Sequence, residues 1–246
     1  MTNDLTIGLI LPDVLGTYGD DGNALVLRQR ARMRGLTAEI QRITLTDPVP
    51  EGCDVYTMGG GEDTAQILAS EKLREDKGLI RAVEAGCPLL AICAGLQVLS
   101  SSFRANGREV AGVGLIDATT TPMSNRAIGE VVSAPLIDGL TQPLTGFENH
   151  LGGTVLGPQA SPLGRVTRGN GNINAESARK VSADADAQVT YEGAVQGSII
   201  ATYMHGPVLA RNPELADLLL ARAMGVNELE PLELPVIEKL RAERLR

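Results

Sequence analysis

Two residues set far apart in this chain have the chemistry of a nucleophile and its base. Cys93 ends an apolar run, Pro88-Leu89-Leu90-Ala91-Ile92, and is followed at once by Ala94-Gly95 and the apolar positions Leu96, Val98 and Leu99. The pattern reads as strand, sharp turn and helix, an elbow that holds a side chain on a strained corner against a helix N-terminus. Ala94 and Gly95 are small enough to let a substrate approach the backbone. Unpaired N–H groups and the dipole at the helix start favour a thiolate over a thiol. A buried structural cysteine at a strand end is the plainer alternative. His205 closes a second apolar run, Gly197-Ser198-Ile199-Ile200-Ala201-Thr202-Tyr203-Met204, and precedes Gly206-Pro207. If both strands end at one edge of a sheet, Cys93 and His205 form a thiolate–imidazole pair. A third strand-like run, Asp54-Val55-Tyr56-Thr57-Met58, leads straight into Gly59-Gly60-Gly61-Glu62-Asp63. Three glycines there offer backbone N–H groups to an anion or oxyanion, or make a plain flexible turn. No Gly-Lys-Ser/Thr follows, so the loop is not a P-loop.

The elements that must position these residues alternate between strand and helix. Residues 5–11 form an apolar first strand, and residues 16–23 a polar, glycine-rich loop that closes on a helix start, where Asp20 or Asp21 would serve as the cap. In that helix Leu25, Leu27, Ala31 and Met33 make the apolar positions, while Arg28, Arg30, Arg32 and Arg34 form a solvated face. Residues 37–43 alternate as a strand. Helices are expected over residues 64–70 and 73–85, the second stopped by Gly86. Helices between strands imply a mostly parallel sheet with both faces covered, and functional loops gather at the carboxyl ends of its strands. From Val110 to Leu156 the pattern changes to short strands, including residues 112–116 and 127–134, read as antiparallel extensions of the sheet with Asn125-Arg126 in a loop between two of them. Residues 168–186 form a long polar excursion. Residues 213–224 make an amphipathic helix that starts on a proline, and residues 235–246 a charged helix or tail. The whole chain, residues 1–246, reads as one domain.

Composition narrows the function. The 246 residues carry a net charge of −8, with four Tyr, two Phe and no Trp. An acidic chain with so few rings is a poor partner for nucleic acid or an anionic membrane. The three cysteines, Cys53, Cys87 and Cys93, form no CxxC pair and suggest no disulfide framework, so a reducing cytosol is expected. Two histidines without ligand spacing give no metal site. No apolar run approaches the roughly 20 residues that span a bilayer, and the first residues do not read as a signal peptide.

Ala91-Ile92-Cys93-Ala94-Gly95-Leu96-Gln97 and Tyr203-Met204-His205-Gly206-Pro207 resemble the nucleophile and histidine motifs of class I, triad-type glutamine amidotransferases. Gly146-Phe147-Glu148-Asn149-His150 looks like the motif of the branch that includes the cobyrinate-amidating enzymes. Thr17-Tyr18-Gly19-Asp20-Asp21-Gly22-Asn23, Gly59-Gly60-Gly61-Glu62-Asp63-Thr64-Ala65-Gln66 and Asn125-Arg126-Ala127-Ile128-Gly129-Glu130 resemble the glutaminase subunits of lipid II isoglutaminyl synthases. The resemblance implies an α/β, three-layer fold with a mostly parallel central sheet and antiparallel extensions. It implies that L-glutamine is hydrolysed at Cys93 with His205 as base and acid. Ala94 and Gly59 or Gly60 would hold the oxyanion, Arg126 would bind the α-carboxylate, and Glu148 and His150 would shape the site or support it structurally. Ammonia would pass to a Mur-ligase-like synthetase that amidates the D-glutamate of the peptidoglycan stem peptide. No cofactor is implied in this chain, since ATP and Mg belong to that partner. The setting implied is cytosolic, at the inner membrane face where a lipid-linked substrate is met.

One departure stands out. The class places Glu two residues after the histidine, and this chain has Pro207. The site is then a dyad, or another carboxylate orients His205, from this chain or from the partner; the partner is the expected source. Competing readings are a cobyrinate-type amidotransferase, a cysteine hydrolase on the same fold, and a non-catalytic regulatory subunit. The absence of a Walker motif argues against the cobyrinate type, which carries its own ATP-binding domain.

Overall fold

The computed structural model describes residues 4–174, 176 and 190–245, so most of the expected polar excursion, residues 175 and 177–186, lies outside the described residues. Its frame is a six-stranded sheet. Strands β1 (Asp4–Ile10), β2 (Thr37–Ile43), β3 (Val55–Met58), β4 (Leu89–Ile92), β11 (Ala194–Gln196) and β12 (Ile199–Thr202) lie in the order β11-β12-β4-β3-β1-β2. All neighbours are parallel except β11 and β12. Every residue of β3, β4 and β12 is buried. That explains why they read as unbroken apolar runs rather than alternating ones: a parallel sheet has both faces covered. Helix α1 (Gly22–Met33) packs with α5 (Val208–Arg211) and α6 (Pro213–Met224) against this sheet, and α2 (Asp63–Asp76) packs with α4 (Ala94–Leu99).

The region from Val110 to Leu156 does more than extend this sheet. It builds most of a second one, from β5 (Ser100–Ala105), β6 (Arg108–Ala111), β7 (Ile116–Pro135), β8 (Leu144–Leu156), β9 (Gly164–Arg168), β10 (Tyr191–Glu192) and β13 (Met204–His205). Strands β7 and β8 are long and antiparallel, and their register slips between Pro122 and Ala127. Arg126 therefore sits on an irregularity inside β7 and not in a loop between short strands.

Two helical expectations are corrected. The break between α2 and α3 (Gly78–Glu84) falls at Lys77, which is left-handed at φ 60°, and not near residue 71. Glu71 and Lys72 are good helix formers, and Asp76 fixes the break by accepting hydrogen bonds from the Val49 and Gly78 amides (3.1 Å each). In α1 the arginines do not form a solvated face. The buried residues are Asn23, Ala24, Leu27, Arg30 and Ala31, whereas Leu25 and Met33 are exposed. Arg30 donates two hydrogen bonds to Asp217 on α6 (2.7 and 2.6 Å), and Arg34 reaches the same carboxylate at 2.9 Å. One carboxylate thus pairs with two largely buried cations. Asp217→Ala would leave both without their carboxylate and is expected to cost about 3 kcal/mol. Urea unfolding checks this, and an unchanged midpoint would show the pairs to be dispensable.

Candidate active site

Cys93 sits at the corner between β4 and α4 with φ 50° and ψ −103°, a conformation costly for a residue with a side chain. The corner is held from outside. The Cys93 amide donates to the Thr202 carbonyl at the end of β12 (2.8 Å), and the Gln97 amide donates back to the Cys93 carbonyl (3.2 Å). Ala94 begins α4, so its amide is among those a helix leaves unpaired. His205 lies on β13, which leaves β12 and pairs with β8, His205 opposite Phe147. Strands β4 and β12 are adjacent and parallel, Ile92 opposite Thr202, so both residues emerge at one carboxyl edge.

The carboxylate that faces His205 comes from this chain. Nδ1 lies 3.1 and 3.2 Å from the two carboxylate oxygens of Asp20, and both residues are buried. The expectation of a carboxylate on a partner is therefore corrected, and so is the reading of Asp20 as a helix cap. Asp20 takes a third contact, accepting the Gly60 amide at 3.0 Å, while Asp21 at the start of α1 makes no side-chain cap. Pro207, which stands where the class has its acid, packs against this same loop: a Cβ on Gly22 would come within 2.3 Å of Pro207 Cγ. The Leu209 amide also donates to Asn23 Oδ1 (3.0 Å). The segment after His205 thus seats the loop that supplies Asp20.

With Nδ1–H committed to Asp20, His205 keeps Nε2, which has no hydrogen-bond partner among the described residues, for the Cys93 sulfur. Burial disfavours charge on His205. The Asp20 carboxylate and the Cys93 thiolate outweigh it and push the imidazolium up to about 10. The Tyr18 ring lies against the imidazole, centroids 4.6 Å apart.

The glycine loop lies over this group. A Cβ on Gly60 would sit 3.1 Å from His205 Cε1, 3.2 Å from Asp20 Oδ2 and 3.5 Å from Cys93 Cβ, so only glycine fits comfortably there. Its amide is taken by Asp20, which removes Gly60 from the expected oxyanion donors. Gly59 is pressed against the Leu15 carbonyl, which a Cβ would meet at 2.2 Å. The loop glycine that does line the cavity with Cys93 is Gly61.

The cavity holds about 570 Å³, and its lining includes Glu62, Gln97, Arg126 and His150. Arg126 donates to Asn149 Oδ1 at 2.8 Å, and Glu62 accepts from the Tyr18 hydroxyl at 3.3 Å. Burial and the Glu62 charge together push the Tyr18 hydroxyl above its ordinary range. His150 reaches the cavity wall but is otherwise built in. Its Nδ1 donates to the Gly152 carbonyl (2.8 Å), and its ring stacks on Tyr203 at 3.8 Å. Glu148 is a buried clamp that accepts from the Asn170 amide (2.7 Å), Asn170 Nδ2 (3.1 Å) and the Gly171 amide (2.8 Å). Burial opposes its charge, yet these bonds and His150 hold the carboxyl below its usual range.

Sequence reasoning assigned no role here to Asp20, Glu62 or Tyr18, and it offered Gly61 to an oxyanion only as one of three loop glycines. The available signal was position: Asp20 follows β1, and Gly61 and Glu62 follow β3, both at the carboxyl edge that carries Cys93. With only two histidines in the chain, proton NMR can follow His205 directly. Its raised pKa means the ring stays charged at neutral pH and loses its proton as pH rises through about 10. Asp20→Asn removes a carboxylate that stabilises the charged ring, so the midpoint should fall. An unmoved midpoint would show that Asp20 does not charge-stabilise the ring.

Comparison with known proteins agrees with this geometry. Residues 6–213 match the model of the CobB/CobQ-like glutamine amidotransferase domain. The chain is 35% identical over 224 residues to the lipid II isoglutaminyl synthase (glutamine-hydrolyzing) subunit GatD of Staphylococcus aureus (strain N315), covering 90% of this chain and 85% of that protein. Identity to the protein of the same name from Streptococcus pneumoniae (strain ATCC BAA-255 / R6) is 30% over 245 residues, covering 98% and 88%. A crystal structure of a glutamine amidotransferase superposes with a TM-score of 0.56 at 17% identity, covering 89% of this chain and 98% of that one. A cysteine on a strained elbow, faced by a histidine and roofed by glycines, is thus carried by a chain that belongs to the CobB/CobQ-like glutamine amidotransferase family.

Proposed function

We propose that this chain is the glutaminase subunit of a lipid II isoglutaminyl synthase. One observation carries the mechanism. Cys93, His205 and Asp20 meet at a single sheet edge, and the cavity that Cys93 lines carries charged groups on its wall, among them the cation Arg126 and the anion Glu62. That pair matches the two charges on the α-carbon of free glutamine. Arg126 receives the α-carboxylate, for which its planar guanidinium is suited, and Glu62 receives the α-ammonium. The Cys93 thiolate attacks the side-chain amide carbon. The oxyanion is held by the Ala94 amide and the Gly61 amide. His205, protonated and oriented by Asp20, gives its proton to the departing nitrogen, and ammonia leaves a thioester on Cys93. Water then adds, His205 takes its proton, and glutamate is released.

Ammonia passes to a separate ATP-dependent, Mur-ligase-like subunit that amidates the D-glutamate α-carboxyl of the stem peptide. ATP and Mg act on that subunit. The names of the GatD relatives support this assignment, and their similarity runs over nearly the whole chain. Residues 1–246 act as one amidotransferase domain in the cytosol, where a lipid-linked substrate is met at the membrane face. Among the described residues no helix is long and apolar enough to cross a membrane. Because Asp20 belongs to this chain, the reading gives the isolated subunit a complete triad.

Glutamate release from glutamine tests the proposal, with and without the co-expressed synthetase. Wild type should release glutamate and Cys93→Ala none; release that survives Cys93→Ala would overturn the nucleophile. Arg126→Ala should raise KM on the order of tenfold or more, the loss expected when a charge-assisted pair is removed. An unchanged KM would place the α-carboxylate elsewhere.

A further inference from the structure

Between the two sheets the chain crosses twice at nearly the same point. On the way in, β10 belongs to the second sheet through Glu192 opposite Gly164, and two residues later β11 belongs to the first. On the way back, β12 ends at Thr202 in the first sheet, and Met204-His205 pair with β8 in the second. The return crossing delivers His205. Its first residue, Thr202, also holds Cys93, since the Thr202 carbonyl accepts the Cys93 amide at 2.8 Å.

A single fully buried carboxylate ties the two crossings together. Glu192 Oε1 accepts from the Thr202 hydroxyl (2.6 Å) and from the Tyr203 amide (2.7 Å). The Thr202 hydroxyl oxygen in turn accepts the Met204 amide at 3.0 Å. Glu192, Thr202, Tyr203 and Met204 are all buried, so no water can replace these bonds. Tyr203 and Met204 are where the backbone leaves one sheet for the other, so their amides need acceptors from outside the strand ladders. Glu192 satisfies one directly and the other through Thr202. Glu192 itself is fixed from behind, where Asn172 brackets Gly193: Gly193 donates its amide to Asn172 Oδ1 (2.6 Å) and accepts from Asn172 Nδ2 (2.8 Å).

We propose that Glu192 is a positioning residue that sets the distance between Cys93 and His205 by holding the Thr202–Met204 crossing. It touches neither the reacting sulfur nor substrate. Its relation to catalysis rests on the glutaminase reading, but its effect on the pairing of sulfur and imidazole does not. What Glu192 supplies is an acceptor, and the glutamine side chain keeps that acceptor while losing the charge.

The test is the rate of Cys93 alkylation by iodoacetamide at neutral pH, together with glutamine kinetics, on the full chain. Mass spectrometry assigns the site, with Cys53 and Cys87 as slow internal references because burial raises both thiols. Glu192→Leu removes the acceptor and should slow alkylation and kcat by on the order of tenfold to a hundredfold, the loss expected from displacing a reacting group by about 1 Å. KM for glutamine should change little, since Arg126 and Glu62 are not held by this crossing. Glu192→Gln should restore both rates to near wild type. Thr202→Val, which cuts only the hydroxyl link to Met204, should act in the same direction and serves if Glu192→Leu does not fold. A leucine variant with lowered thermal stability but wild-type alkylation and kcat would reduce Glu192 to a structural residue and overturn the proposal. So would a glutamine variant as slow as the leucine one. Loss of glutamine turnover in wild type, with alkylation still dependent on Glu192, would overturn the glutaminase reading and leave the positioning role standing.

Discussion

Everything at the candidate site depends on one buried carboxylate. Asp20 has almost no contact with water, so its charge must be met by protein groups, and two are offered: the His205 ring and the Gly60 amide. Each comes from a different strand end. The carboxylate therefore joins the loop after β1, the loop after β3 and the crossing after β12 at one point. Leaving such a charge unpaired in the interior costs several kcal/mol, so these three segments are stable only together. Gly22 against Pro207 and Asn23 against the Leu209 amide reinforce the same junction.

The same dependence explains a departure that looked like a defect in the sequence. Pro207 occupies the place of the class acid two residues after the histidine. In the fold a proline there has a different use. It carries no charge toward His205 but presses on the loop whose carboxylate does. The orienting acid has moved from a position close to His205 in sequence to one far upstream, close only in space.

Much of this was legible in the chain. The elbow at Cys93, the strand ending before His205 and the glycine loop were readable because buried parallel strands give unbroken apolar runs, and the carboxyl-edge rule then places their ends together. Arg126 and the Glu148–His150 motif came through resemblance, and their physical settings did not: one lies on a register slip inside a long strand, the other runs from a buried clamp at Glu148 to the cavity wall at His150. Asp20 was hidden because an aspartate just before a helix is what a cap also looks like. The arginines of α1 misled for a similar reason. A cation at every second position reads as a solvated face, and only the position of Asp217 on a distant helix shows that Arg30 and Arg34 point inward. The second sheet was underestimated because long antiparallel strands interrupted by glycine, proline and asparagine read as several short ones.

The strand order of the first sheet also bears on how the protein is made. Strands β1 to β4 come from the N-terminal part of the chain, but the neighbour that completes β4 is β12, contributed only after nearly all of the second sheet. A chain leaving the ribosome can assemble the four early strands with Cys93 already on its corner. Until β12 docks, the cysteine amide has no Thr202 carbonyl, no imidazole faces the sulfur, and one edge of β4 lies open. Nascent and prematurely terminated chains thus lack the assembled cysteine–histidine pair, and the last strand to join the sheet is the one that completes it.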